Sequence, residues 1–438
     1  MQLTQLALTN FRNFVELDLR FPAGPILLHG PNAQGKTNLL EAIYYLATSK
    51  SPHAGNDRQL LNWYSEDIGG GLAVGRLTGQ VKLARQHAHR RLEIRIIREA
   101  ATNGSAMRRE TLVNGAKVRR MDLLGNLNAV LFLPQDVSLI TSAPADRRRY
   151  LDIALCQVDR HYCRSLSVYN RVLLQRNALL RTIQEKRGRT DELDPWDQRL
   201  AELGARVLHG RARLVTELDR RAGQIHFDEL TNGTESLRLV YQPRLLPNGG
   251  LPGCPTPAAA LDDPSGWLLT EPLAAVAAVL LQVLHFSRRL ELQRGQSLTG
   301  PHRDDLRFYV NGRELGDYGS RGQQRTAVLA LKLAEIAWME SQTGELPVLL
   351  LDEVLAELDQ QRRATLLRSI NAAEQSFLTA TDPAMFSHEF LSAATCLYVS
   401  AGTAKPQTPI TAADPAPRGT TVVEPTVDQP GSCSDATL

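Results

Sequence analysis

"GPNAQGKTNLL", Gly30 to Leu40, follows the apolar run "ILLH" and precedes "EAIYYLAT", in which apolar residues recur at helical spacing. That order of strand, glycine loop and helix predicts an α/β fold organised round a phosphate loop. The stretch fits G-x-x-x-x-G-K-[ST], with Gly30, Gly35, Lys36 and Thr37 at the required places. Glycine permits backbone angles that let successive N–H groups converge on an anion, and the positive end of the following helix adds attraction. Lys36 is the candidate ligand for the β- and γ-phosphates of ATP, and the Thr37 hydroxyl for Mg²⁺. Pro31, Asn32, Ala33, Gln34 and Asn38 complete the candidate loop.

The chain has 438 residues and 43% hydrophobic content, enough for a large core and two or three domains. Its five cysteines are scattered without a C-x-x-C pair, which argues against zinc and a disulfide framework and fits a reducing cytoplasm. The start "MQLTQLALTNF" lacks the pattern of a signal peptide. "LAAVAAVLLQVLHF", from Leu273, is too short for a bilayer span and is expected to be a core helix, so no membrane partner is expected. Net charge is only +3, yet Lys82 to Arg120 holds eleven Lys or Arg against three Glu. Either a phosphate-backbone footprint or a solvated β face with arginine at alternate positions accounts for that stripe.

The predicted organisation is a head interrupted by an arm. Residues 1–145 form the first part of the head, with the phosphate loop and a β-rich lobe that includes a hairpin at Asn114-Gly115. Residues 146–295 form a helical arm of two or three antiparallel helices, followed by a Pro/Gly-rich loop and the apolar helix. Residues 296–401 complete the head, with a second hairpin at Asn311-Gly312. The tail, 402–438, is rich in Pro, Thr and Asp and is expected to be disordered.

"PVLLLDEV", Pro347 to Val354, is a buried-strand pattern ending in two carboxylates. Beside a phosphate loop, its Asp352 would serve Mg²⁺ and its Glu353 would polarise water against the γ-phosphate. Upstream, Ser320, Gly322 and Gln323 open an amphipathic helix that Ser320 can cap. Phosphate loop, long insertion, polar helix start, Asp-Glu strand and then "AELD" resemble the ABC-type ATPase order. In that class "SRGQ" corresponds to the signature motif, Asp359 to the D-loop and Gln135 in "LFLPQD" to the Q-loop, a candidate catalytic and metal-site group. The signature covers ATP held by a second subunit, so the resemblance implies a homodimer. Where many such ATPases carry a histidine, "SFLTATD" carries Thr381 and Asp382.

Within that class, "LALTNFRNF", "APADRRRYLD", "SLTGPHRDDLRF" and "SRGQQR" together look like the RecF family of bacterial recombination-mediator ATPases, from the first residue to about Ser400. The resemblance implies an SMC-like head with a short arm, slow DNA-stimulated ATP hydrolysis used as a switch, and binding to double-stranded DNA or single/double-strand junctions. It also implies work with RecO and RecR towards RecA loading. In that setting Arg90, Arg91 and Arg95 of the stripe, and Arg147 and Arg148 where head meets arm, are candidate DNA contacts. Arg12 is either a nucleotide contact or half of a structural salt bridge. An SMC-class chromosome protein would need heptads sustained over hundreds of residues, and only about 150 separate the two half-heads. A zinc-hook ATPase would need a C-x-x-C at the arm tip. A transporter subunit gives no reason for the arm or the stripe.

Overall fold

The computed structural model describes residues 1–63, 72–83, 85, 88–101, 104–246 and 256–407. In chain order the first strands are β1 (Gln2–Phe11), β2 (Phe14–Arg20), β3 (Gly24–His29), β4 (Ala73–Leu83), β5 (Ala88–Ala101), β6 (Gly104–Val113), β7 (Ala116–Val118) and β8 (Ala129–Phe132). They are followed by β9 (Leu237–Gln242), β10 (Asp305–Val310), β11 (Arg313–Glu314), β12 (Val348–Asp352), β13 (Gln375–Ala380), β14 (Thr395–Ser400) and β15 (Thr403–Pro406). The helices longer than ten residues are α1 (Lys36–Thr48), α2 (Pro144–Val158), α3 (Arg160–Gln184), α4 (Asp194–Ile225), α5 (Leu273–Arg294), α6 (Arg321–Thr343) and α7 (Gln360–Ala372).

The site is positioned by a six-stranded sheet in the order β15-β14-β3-β13-β12-β8, parallel except for β15. A parallel sheet is covered on both faces, which is why "AVLF" and "VLLLD" read as unbroken apolar runs. Successive residues still part to opposite sides. Leu27, Leu349, Leu351 and Leu378 enter one core with Leu329 and Ala330 of α6, whereas Ile26, Leu28, Leu350 and Phe377 enter another with Leu39, Ile43 and Leu46 of α1. Register then brings distant residues to one edge. Ala380 pairs with His29, and Asp352 with Thr379, so the loops carrying Gly30, Glu353 and Thr381 leave together at the carboxyl ends of adjacent strands.

The β-rich lobe is an antiparallel sheet, β2-β1-β4-β5-β6-β7. Its β6–β7 turn has φ of 52° at Asn114 and 81° at Gly115, the left-handed pair that a type I′ hairpin demands. In the arm, α4 packs on α3, α5 and α6. The boundaries expected from sequence differ from the structure in two places. Helix α2 starts at Pro144, inside the expected head segment. Strand β9, inside the expected arm, pairs with β10, so a three-stranded sheet straddles the 295/296 boundary. Its cause is the short alternation Leu237, Leu239, Tyr241, which faces Leu306 and Phe308 inward.

Helix α5 is the one helix among the described residues long and apolar enough to cross a membrane. It is not wrapped on all sides as a core helix would be. Val276, Val279, Leu280, Val283 and Leu284 are buried, while Leu273 and Phe286 stay 41% and 50% exposed. The expected disordered tail begins instead with β15, which pairs with β14. The remainder of that tail, from residue 408, lies outside the described residues. Cys156, Cys163 and Cys396 are free thiols; Cys254 and Cys433 lie outside the described residues.

Candidate functional site

Strand β3 delivers the chain to Gly30 at φ 138°, where a Cβ would meet the Val399 carbonyl oxygen at 2.4 Å. No side chain fits there. The loop then turns through Ala33 at φ 63° and Gly35 at φ 114° into α1. Lys36 is buried, and its Nζ donates to the carbonyls of Gly30 at 2.8 Å and Pro31 at 3.1 Å. Glu353 Oε1 lies 3.6 Å from the same ammonium. The loop, Thr37, Asn38 and Glu353 line a cleft of about 230 Å³. Just behind, burial lowers the His29 pKa, keeping that ring neutral beside the Lys36 cation.

At the end of β12, both Asp352 carboxylate oxygens accept from Thr37 Oγ1 at 3.0 Å. A hydroxyl beside a carboxylate is a pair of hard oxygen donors and fits Mg²⁺. Thr379 Oγ1 donates to Asp352 Oδ1 at 2.7 Å and accepts from Glu353 N at 2.9 Å, fixing both acids at once. Glu353 adopts φ 53°, a left-handed conformation that costs a non-glycine residue of order 1 kcal/mol or more and turns the strand sharply at the second acid. Thr381 Oγ1 lies 3.2 Å from Asn32 Oδ1 and 3.4 Å from Glu353 Oε1. It stands between loop and acid, at the position where a histidine is found in many related ATPases.

Two supports of the loop were not read from the sequence. Asn13 Nδ2 donates to Gln34 O at 2.8 Å while its Oδ1 accepts from Asn38 Nδ2 at 2.8 Å. Thr379 is the other. Both sit inside stretches already singled out, "TNFRNF" and "SFLTATD", but one small polar residue among several carries no spacing signal. Gln34 is held further by Ala401 N, which donates to its Oε1 at 2.7 Å. Arg12 makes the salt bridge that the structural alternative requires: its Nε and Nη2 grip Glu41 at 2.7 and 2.8 Å, and its Nη1 donates to Gln59 O.

Other expected site residues lie away from the cleft lining. Gln135 is exposed, with its Nε2 3.5 Å from His53 Nδ1. Ser320 and Gln323 form a reciprocal capping box at the start of α6, at 3.2 and 3.0 Å, and Gln323 Nε2 also donates to Glu235. Ser320 and Gly322 are exposed, and neither touches the cleft of their own chain. Asp359 caps α7, accepting from Arg362 N at 2.9 Å.

The basic candidates separate. Arg147 is 3% exposed, forks onto Asp305 at 2.7 and 3.0 Å and donates to the Ser142 carbonyl; it is a buried structural cation and not a DNA contact. Arg148 is half-buried and donates to Asp304 O. Alternation along β5 splits the stripe, because Arg91 and Arg95 share a face with Glu93 while Arg90 points to the opposite face and reaches Asn126. The triple is therefore not one surface. Glu93 draws Arg76, Arg91 and Arg95 together, and Arg109 turns inward to Asp57 and Ser49.

Residues 2–401 match the RecF/RecN/SMC N terminal domain family. The chain is 42% identical over 405 residues, 90% of its length and 96% of the relative's, to the DNA replication and repair protein RecF of Chloroflexus aurantiacus. It is 37% identical over 408 residues to the protein of the same name in Listeria monocytogenes, covering 92% of this chain and 100% of that one. Two solved structures of the recombination mediator protein RecF in the RecFOR pathway, described as RecF-ATP and RecF-ATPrS, superpose with TM-scores of 0.77 and 0.76 at 30% identity. Each covers 93% of this chain, with 97% and 98% of the solved chains matched. With the phosphate loop, the paired acids and the interrupted head all present, the chain belongs to the RecF family of DNA replication and repair proteins.

Proposed function

We propose that this recombination mediator is an ATP-switched clamp: a Mg²⁺-dependent, slow, DNA-stimulated ATPase that dimerises on ATP and holds double-stranded DNA or a single/double-strand junction. The observation that carries the reading is the convergence of Lys36, Thr37, Asp352 and Glu353 on one cleft. Lys36 exchanges loop carbonyls for phosphate oxygens when nucleotide enters. Mg²⁺, when bound, neutralises charge on the β- and γ-phosphates. Thr37 and Asp352 hold the cation, Thr379 fixes the Asp352 carboxylate, and Glu353 accepts a proton from the attacking water. Thr381, between Asn32 and Glu353, orients that acid against the loop.

Ser320 and Gly322 are exposed at a helix start, with the half-buried Gln323 beside them, and none of the three lines the cleft of its own chain, which favours their capping ATP held by a second copy. Asp359 and Gln135 belong to the same proposed interface. The relatives named for the RecFOR pathway favour RecO and RecR as pathway partners. For DNA, the outer lobe face offers Arg76, Arg91, Arg95, Arg108 and Lys117 against Glu93, Glu99 and Glu110, a modest positive balance. ATP binding acts by favouring one arrangement of two heads, and hydrolysis ends it.

The test is light scattering after size separation, with ATP and with ADP. Glu353→Gln should keep ATP, slow hydrolysis by about 10²- to 10⁴-fold and accumulate dimer. Adding Ser320→Arg should return it to monomer. A Glu353→Gln chain that stays monomeric with ATP bound, or a double variant that dimerises equally well, excludes the shared site.

A further inference from the structure

A second cavity, of about 450 Å³, lies where the head meets the arm, far larger than the nucleotide cleft and sharing none of its lining residues. Its walls come from the end of α1, the start of the short helix at Arg120, α2, α3 and the Pro301–His302 corner. Five cations line it, Lys50, Arg120, Arg148, Arg149 and Arg211. The only carboxylate on its wall among the described residues is Asp152, and Arg211 takes both of its oxygens, at 2.8 and 3.1 Å.

How the other four cations are satisfied sets them apart from the lobe stripe. On the stripe, Arg76, Arg91, Arg95, Arg108 and Lys117 each lie within 4 Å of a carboxylate, at distances from 2.6 to 3.9 Å. Around the cavity, Arg120 donates to Ser49 O at 2.9 Å, Arg149 to Ser51 O at 2.8 Å and Arg148 to Asp304 O at 2.6 Å. Carbonyls orient a guanidinium but leave its charge uncancelled. The backbone of Ser49 to Ser51 therefore aims two arginines while Lys50 stands between them. Burial first, and then the charges of Arg120 and Arg149, lower the Lys50 pKa, as expected in a region of positive potential. Like charges held together at this density are a standing cost unless an anion joins them. Ser167 and Asn170 add neutral donors, and Met121, Leu124 and Leu166 give an apolar wall.

We propose that this junction cavity is a second ligand site, for a compact phosphorylated anion, separate from the nucleotide cleft. Its volume is that of a small-molecule site, and three forked guanidinium groups with one ammonium match the oxygens of a diphosphate better than a single extended backbone. Because α1 begins at the phosphate loop and ends at Thr48, two residues before Lys50, while α2 begins the arm, an anion here ties the two units together.

The experiment uses the full chain saturated with ATPγS and Mg²⁺, so that the first cleft is filled, and measures radiolabelled pyrophosphate by equilibrium dialysis. One pyrophosphate per chain is expected. Arg149→Gln and Lys50→Met should each weaken it about tenfold, and the pair about a hundredfold, with ATPγS retention and the thermal midpoint without pyrophosphate unchanged. Arg91→Gln, on the outer lobe face, should leave it as in the wild type. Absence of pyrophosphate binding beyond the filled cleft overturns the proposal, and so does equal binding by the double variant. A short unphosphorylated duplex that displaces pyrophosphate, with DNA affinity falling in step in the same variants, also overturns it and makes the cavity part of the DNA footprint. ATPγS retention reports on the nucleotide cleft independently, so its failure is seen separately.

Discussion

Thr37 and Asp352 are 315 residues apart in sequence, and the hydroxyl of one donates to both carboxylate oxygens of the other at 3.0 Å. The pair is joined by strand order, since β12 reaches β3 only through β13. Asp352→Asn keeps the shape and the hydrogen bond but removes the charge a divalent cation requires. Nucleotide affinity in Mg²⁺ should fall by about 10- to 100-fold, while affinity in excess EDTA should match the wild type. Fluorescent-nucleotide titration in the two buffers checks it; an equal loss in EDTA removes the metal role from Asp352.

Arg147 illustrates how a buried cation differs from a DNA contact. Arg147→Met leaves the Asp305 carboxylate with Arg307, 2.7 Å away, and the Leu306 N–H, and strands the carbonyl of Ser142. A loss of about 3 kcal/mol in urea unfolding is expected, with Arg147→Met/Asp305→Leu recovering most of it. The salt slope of DNA binding should not change. A specific loss of DNA affinity in a chain of undiminished stability would contradict this placement.

The outer face of β5 gives the complementary case. If Arg91 and Arg95 touch phosphates, the Arg91→Gln/Arg95→Gln variant should weaken binding to all sequences alike and flatten the log–log salt dependence by about two units. Fluorescence anisotropy across a salt series measures it. Because Glu93 already engages both residues, an unchanged slope returns them to a solvated, internally paired surface.

His302 should make the arm junction sensitive to acid. Its Nδ1 accepts from Tyr169 Oη at 2.7 Å and its Nε2 donates to Ser297 O at 3.1 Å, and burial lowers its pKa to about 4. An unfolded histidine takes its proton near 6.5. Between those values the unfolded chain binds more protons, so this contribution is full above about pH 6.5 and is lost as pH falls towards 4. Allowing for solvent at a partly exposed ring, the loss is about 2 kcal/mol. Urea melts at pH 7 and pH 5 should differ less in His302→Asn than in the wild type; equal differences would exclude His302 as the source.

The phosphate loop and the Asp-Glu strand were legible because both are local: a glycine pattern fixed to one lysine, and an apolar run with acids at its end. The Asn114-Gly115 and Asn311-Gly312 turns were legible for the same reason, each needing two left-handed residues in a row. What escaped was relational. Nothing in "RRRYLD" distinguishes Arg147, which turns onto Asp305, from Arg149, which faces the cavity; a helix merely sends neighbours in different directions. Counting charge along β5 does not show that alternate residues face opposite ways or that Glu93 gathers its neighbours. Strand β9 was hidden by its brevity and by the proline that follows, since only its partner β10 makes it a strand.

Strand β3 has β13 on one side and β14 on the other, both from beyond residue 374. The element that launches the phosphate loop therefore waits, during synthesis, for almost the whole chain before either neighbour exists. Loop closure over such separations is slow, and until it occurs the row of N–H and C=O groups on β3 is unpaired. A ribosome-bound chain halted before Gln375 should not retain ATP, although it carries every residue of the loop, and one released after Pro406 should. On the proposed mechanism, a prematurely ended chain would then neither join the proposed ATP-dependent pair nor compete with finished copies for DNA.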